Sequence, residues 1–258
     1  MIDRTLQGHP LWSAYEYAAM FFGMTMLALI CLIWLPMAMV LYPILPHRTG
    51  TALGRGAITA GFRIYLHILR GLCAFRFDLS ELDQLRDQGP LIIAANHPSL
   101  LDVVVITSRL PNVACVMKSD LMDNLLFGAA ARLARYIRND SAFHVIKRSR
   151  EVMDQGAQLL IFPEGTRTRQ FPIDTLTPTI GLIARRTGAS VQTVLLEFST
   201  PYLGKDWPLL RKPALPLHCK ARLGRRFPFP RDHITLTTEL DAYFRQELAR
   251  TFGDHGDG

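Results

Sequence analysis

From Tyr17 through Leu35 the chain reads YAAMFFGMTMLALICLIWL, nineteen residues without a charge, and the apolar character resumes past Pro36 in MAMVLYPILP. A helix rising about 1.5 Å per residue crosses a hydrocarbon core of about 30 Å in that length. Residues 1–46 are therefore expected to form a hydrophobic membrane-anchoring segment, with a buried core helix as the alternative. A signal peptide fits poorly, because a polar stretch with Asp3 and Glu16 precedes the run and no small-residue cleavage site comes after it. Pro36, Pro43 and Pro46 each remove a backbone donor, which leaves a kinked span and a re-entrant hairpin both open.

Arg55, Arg63, His67 and Arg70 then recur at near-helical intervals among Ile, Leu and Phe. Residues 47–75 accordingly read as a basic amphipathic helix, suited either to a membrane interface or to packing on a core with one face in water. Positive charge concentrated after the apolar run places residues 48 onward on the cytoplasmic side.

Beyond residue 76 the period changes. The runs LIIAANH, NVACVMK, AQLLIFPEG and SVQTVLLEF read as strands, and SLLDVVVITSRL, DNLLFGAAARLARYI, AFHVIKRSREVMDQG and TPTIGLIARRTGA read as helices. Alternation of this kind predicts an α/β domain over residues 76–252, with a central, mostly parallel sheet flanked by helices. The tail, residues 253–258, is expected to be disordered.

The length of 258 residues suits one such domain plus its anchor. A formal charge of +7 suits an anionic membrane surface, an acidic protein or a nucleic acid. No nucleic-acid motif or basic–aromatic interleaving supports the last of these. Cys31, Cys73, Cys115 and Cys219 lie far apart, without the paired spacing of a zinc site, and read as reduced packing residues. No metal site is expected.

Two stretches fall where functional groups of an open α/β sheet gather, beyond the carboxyl ends of strands. One is NHPSLLD, with His97 and Asp102; the other is FPEGTRT, with Glu164, Gly165, Thr166 and Arg167. Imidazole is suited to take a proton near pH 7, and Asp102, one turn on, can fix its tautomer. A turn with glycine allows close backbone approach, and Arg167 offers a planar fork for phosphate. An ion pair of Glu164 with Arg167 that merely braces the turn is the plainer reading of the second stretch.

Together the two stretches resemble the first and third blocks of the glycerophospholipid acyltransferases, the 1-acylglycerol-3-phosphate acyltransferase type, over about residues 76–220. The resemblance implies direct attack of an acceptor hydroxyl on an acyl thioester, with His97 as base and no covalent intermediate on Ser99. It gives the acceptor phosphate to Gly165, Thr166 and Arg167, and to Glu164 the orientation of the acceptor or the loop. Lys118, ending NVACVMK, matches a lysine of these enzymes, and ARYIRND offers Arg135 or Arg138 for the second block, with Arg138 preferred. No cofactor is implied beyond the co-substrate, acyl carrier protein or coenzyme A thioester. The partners that the resemblance implies are membrane lipids and a lysophospholipid, at a bacterial inner membrane with the catalytic domain facing the cytoplasm. FPIDTLTPTIG replaces the usual Phe-Lys-x-Gly run, and ASVQTVLLEF lacks the fourth block's proline. A different lipid-like alcohol or amine acceptor, an acyl hydrolase using the same dyad, and a non-catalytic binding module are therefore the competing readings.

Overall fold

The apolar run folds as one long helix, α1 (Pro10–Ile44), despite Pro36 and Pro43 inside it. The computed structural model describes residues 9–208, 210–230 and 232–253; of the tail expected over residues 253–258, Gly253 instead closes the last helix, and residues 254–258 lie outside those described. Pro36 withholds the N–H that the preceding turn would use. Leu35 and Ala38, on either side of it, pack against Ala129 and Leu133 and keep the two halves in line. The chain instead reverses at Leu45 and Pro46, where α2 (His47–Leu72) begins. The two helices run antiparallel, and at their open end the Tyr15 hydroxyl donates to the Leu72 carbonyl at 3.2 Å.

Much of α1 faces outward, with Ile33 71% and Val40 58% exposed. It is the one helix among the described residues that is long and apolar enough to cross a membrane.

Of the cations along α2, Arg55 is buried against the domain, whereas Arg63, His67 and Arg70 stay exposed. The reason for the burial is the orphan carbonyls at the ends of two other helices, α3 (Leu101–Arg109) and α5 (Leu125–Leu133). The last turn of a helix lacks intrahelical donors. Thr59 Oγ1 donates to the Thr107 carbonyl at 3.0 Å and Arg63 to that of Ser108, while Arg55 Nε reaches the Ala134 carbonyl at 3.1 Å. The polar side of α2 thus binds the domain, and Leu53, Ile64 and Leu72 are left outside. Gly54 permits the approach, since a Cβ there would stand 2.7 Å from the Ala134 nitrogen.

The sheet has seven strands: β1 (Phe75–Asp78), β2 (Ile92–Ala95), β3 (Val113–Lys118), β4 (Ile137–Asn139), β5 (Gln158–Ile161), β6 (Val191–Phe198) and β7 (Leu217–Phe227). Their order is β1-β7-β6-β2-β5-β3-β4, parallel throughout except for β6 with β7. The buried pattern of β2 and β5, with all four residues of each strand inside, reflects helices on both faces.

Helices α3 and α2 cover one face. The other is covered by α6 (Ala142–Asp154), α7 (Thr179–Thr187) and α8 (His233–Gly253). A short helix α4 (Ser119–Asp123) links β3 to α5. Three strands escape the sequence reading. β1 hides at the end of the amphipathic run, β4 is three residues starting at the last position of a stretch read as helix, and β7 alternates buried and exposed positions among many cations.

Candidate active site

β2 and β5 are neighbours in register, so the segments that leave their carboxyl ends emerge side by side. His97 comes after β2 and Glu164 after β5. The turn after β2 is anchored by Asn96, whose amide donates to the Leu196 carbonyl at 2.9 Å and accepts from the Leu196 nitrogen at 2.7 Å. With both ends of a buried amide satisfied by β6, the next residue has little freedom.

His97 Nδ1 stands 2.7 Å from Asp102 Oδ2, and the Ser99 N–H donates to the same oxygen at 2.8 Å. Asp102 is in the first turn of α3 and fully buried, whereas the His97 side chain keeps 15% of its surface. The ring stacks on Phe162 with centroids 3.9 Å apart and planes 18° off parallel. One nitrogen is thus committed to a buried carboxylate, which leaves Nε2 for a reacting proton. Burial pushes the Asp102 carboxyl up, and the bond to His97, the Ser99 N–H and the charge of Arg167 oppose it.

The second motif wraps the first. Glu164 Oε1 accepts from the His97 backbone N–H at 2.8 Å and from Thr168 Oγ1 at 2.9 Å; Oε2 accepts from the Asp174 N–H at 3.0 Å. The Thr168 N–H returns a bond to the His97 carbonyl at 2.8 Å. Glu164 is therefore a clasp between the two motif loops, and burial holds its carboxyl above the usual range against those three donors.

Gly165 sits at φ +70°, a left-handed turn position that a side chain would strain. Arg167 makes no bond to Glu164; its NH1 donates to the carbonyls of Leu203 and Gly204, each at 2.8 Å. A guanidinium carries five N–H donors, and those two carbonyls occupy one nitrogen and aim the rest. Leu203 also accepts from the Leu100 N–H at 3.0 Å, so the loop from 199 to 216 roofs the turn after His97.

His97, Asp102, Glu164, Gly165, Thr166 and Arg167 therefore form one site. Lys118, the exposed last residue of β3, ends a strand two places from β2 at the same sheet edge. Arg138 is not brought to them. It lies in β4 and pairs with Asp123 through two 2.7 Å bonds. The carbonyls of Leu203 and Gly204 escape sequence reasoning, because a backbone acceptor has no signature in residue type. The Phe162 ring was readable only as an apolar strand end. Among the described residues no group of three or more His, Cys, Asp or Glu is placed to hold a metal ion.

The Acyltransferase family profile matches residues 76–197. A 1-acyl-sn-glycerol-3-phosphate acyltransferase of Pseudomonas aeruginosa is 26% identical over 141 residues, 52% of this chain and 53% of that protein. The enzyme of the same name from Helicobacter pylori is 33% identical over 108 residues, 38% of this chain and 46% of that one. The chain thus spans about half the length of the curated relatives it matches. The crystal structure of the 1-acyl-sn-glycerophosphate acyltransferase PlsC from Thermotoga maritima superposes with a TM-score of 0.69 at 13% identity. That match covers 92% of this chain and 97% of the other, a likeness of fold.

Proposed function

We propose that the chain, whose residues 76–197 match the Acyltransferase family, works as a membrane-associated O-acyltransferase of the glycerophospholipid type on a lysophospholipid hydroxyl. The donor is a thioester of acyl carrier protein or coenzyme A. The default acceptor is 1-acylglycerol-3-phosphate, after the names of the two relatives. The observation that carries this reading is the 2.7 Å contact of His97 Nδ1 with a fully buried Asp102, which readies the opposite ring nitrogen for a proton.

The acceptor hydroxyl loses its proton to His97 Nε2 as its oxygen attacks the thioester carbon. The tetrahedral adduct then collapses, the C–S bond breaks, and the thiolate takes the proton back from the imidazolium. Asp102 stabilises the imidazolium in between. The acceptor phosphate binds the free donors of Arg167 and the backbone around Gly165 and Thr166. Glu164 keeps that loop against the His97 backbone, and Lys118 adds positive charge at the same edge of the sheet. The outward apolar surface of α1 holds the enzyme in the membrane that contains its acceptor. The cations beyond that helix favour a cytoplasmic-facing domain in a bacterial inner membrane.

The test is acyl transfer by detergent-purified protein, offering both thioesters against lysophosphatidate and an unphosphorylated lyso-acceptor, with His97→Ala as control. Product with the phosphorylated acceptor that vanishes in the variant is the expected result. Free fatty acid formed without any acceptor would replace this reading by a hydrolase.

A further inference from the structure

Arg138, the candidate for the acceptor phosphate, belongs to a different cavity. β4 is separated from β2 by β5 and β3. At about 4.8 Å per strand it stands roughly 14 Å from the strand that ends at His97. Arg138 instead lines an open cavity of about 350 Å³ with Arg132, Arg135, Lys147, Arg148 and, at the end of α1, Tyr42.

Charge there is in excess. Five permanent cations face four carboxylates, Asp123 and Asp120 near Arg138, Asp140 beside His144 and Glu151 beside Arg148, leaving a surplus of one without counting His144. Partial burial and the charges of Arg135, Arg148 and Arg55 hold the His47 imidazole below its ordinary value. The cavity's field therefore reaches the start of α2.

Arg135 is also held in an unfavourable backbone conformation, φ +57°, where a non-glycine residue is uncommon. That turn sends its guanidinium over the Tyr42 ring at 4.6 Å, with a 3.0 Å bond to the hydroxyl. Strain of this kind is retained where the surroundings or a function require it, and here it presents an arginine to the lipid-exposed helix.

The surroundings identify the anion. Met39, one turn before Tyr42 on α1, and Phe143, one turn before Lys147 on α6, are exposed large apolar side chains. They come from the helices whose residues line the cavity. A basic recess bordered by exposed apolar side chains, with a tyrosine at the boundary, matches a phosphate whose own acyl chains lie beside it.

We propose that this cavity binds the headgroup phosphate of an anionic bilayer phospholipid, as a site separate from the acceptor site at Glu164 to Arg167. The site rests on α1 lying in a membrane, and not on the reaction assigned to His97. Arginine forks supply bidentate contacts to the phosphate, and Lys147 supplies a mobile charge at the rim. Its occupation would fix the end of α1 against α5 and β4 and set the height of the domain over the bilayer.

The experiment is native mass spectrometry of the full chain in detergent, titrated with phosphatidylglycerol and, separately, phosphatidylcholine. Arg135→Gly suits the test because glycine accepts the left-handed backbone, and Lys147→Ala alters an exposed rim. Wild type is expected to retain phosphatidylglycerol over phosphatidylcholine, and each variant to lose about five-fold of that preference, the effect of about 1 kcal/mol per juxtamembrane cation. Acyl transfer to a soluble short-chain acceptor in detergent is run alongside. If wild type is inactive there while the lipid preference and its loss persist, the functional reading fails and the headgroup site stands. Equal retention of both lipids, or a preference unchanged in both variants, would overturn the site. Displacement of the lipid by millimolar inorganic phosphate would reassign it to a free anion, and binding of acyl carrier protein lost in the same variants would reassign it to a protein partner.

Discussion

Asp102 is the residue on which the chemistry of the site is most exposed to test. Asp102→Asn keeps the volume and one acceptor but removes the charge that fixes the His97 tautomer. In the proposed mechanism kcat falls by about 10² to 10⁴, while the apparent Michaelis constant for the acceptor, set at Arg167, changes little. A steady-state comparison checks this, and a variant retaining full kcat would remove the dyad from the mechanism.

The same substitution has a consequence for stability. Burial raises Asp102 and Glu164 in the folded chain, whereas unfolded carboxylates ionise at about pH 4. The folded state therefore binds more protons in the window above pH 4. The stability these two groups contribute is complete below that value and is lost as the pH rises through their elevated folded values. Melting curves from pH 4 to 7 should show the Tm of Asp102→Asn gaining on wild type as pH rises. A constant difference would show that Asp102 ionises as in the unfolded chain. Asn96 gives the opposite kind of effect. Asn96→Ala leaves the Leu196 N–H and carbonyl unpaired in the interior, and a loss of about 1–3 kcal/mol in denaturant unfolding is expected at any pH.

At the level of the element, α2 shows how one pattern leaves two partners open, a membrane interface or a protein core. Its polar stripe is plain in the sequence, but whether such a stripe meets water, lipid headgroups or protein depends on what lies opposite. Here the opposite surface is the unsatisfied carbonyl ends of α3 and α5. Arg55→Met keeps the stem and removes the donors, leaving the Ala134 carbonyl and the Asn112 side-chain oxygen without this buried cation. A loss of about 2–4 kcal/mol is expected, read as a lowered Tm, with detergent-phase partitioning unchanged because the outward apolar side of the helix is untouched. An unchanged Tm would mean that α2 is held by its apolar contacts alone.

At the scale of the whole molecule, the helical pair and the α/β domain are one packed body. Lys212 and the Leu215 N–H bond to Glu16 of α1, and Lys212 also reaches Ser13. The helix that would enter the membrane thus also braces the loop roofing the active site. Removing residues 1–46 would uncover Ala129 and Leu133 and release that loop, so truncation confounds anchoring with folding. Ile33→Asn combined with Val40→Asn is the cleaner test, since both side chains are largely exposed. The pair is expected to shift the protein from the membrane to the soluble fraction at carbonate extraction, with Tm within a few degrees of wild type. Retention in the membrane with both changes would move the anchor elsewhere.

Legible from the order of residues alone are the alternation of strands and helices after residue 76, the apolar helix before it, and the two motif loops that end strands. These are local properties, set by hydrophobic period and by residue chemistry within a few positions. The folded arrangement alone makes β2 and β5 neighbours, which turns two separate motifs into one site with Glu164 clasping the His97 backbone. It also decided that Arg167 is aimed by carbonyls from a loop some thirty-six residues further on, that Arg55 is interior, and that Arg138 belongs to another cavity. Strand order, the partners of backbone carbonyls and the surface opposite a helix are long-range facts, fixed by how the whole chain satisfies its buried polar groups at once, and no window of the sequence contains them.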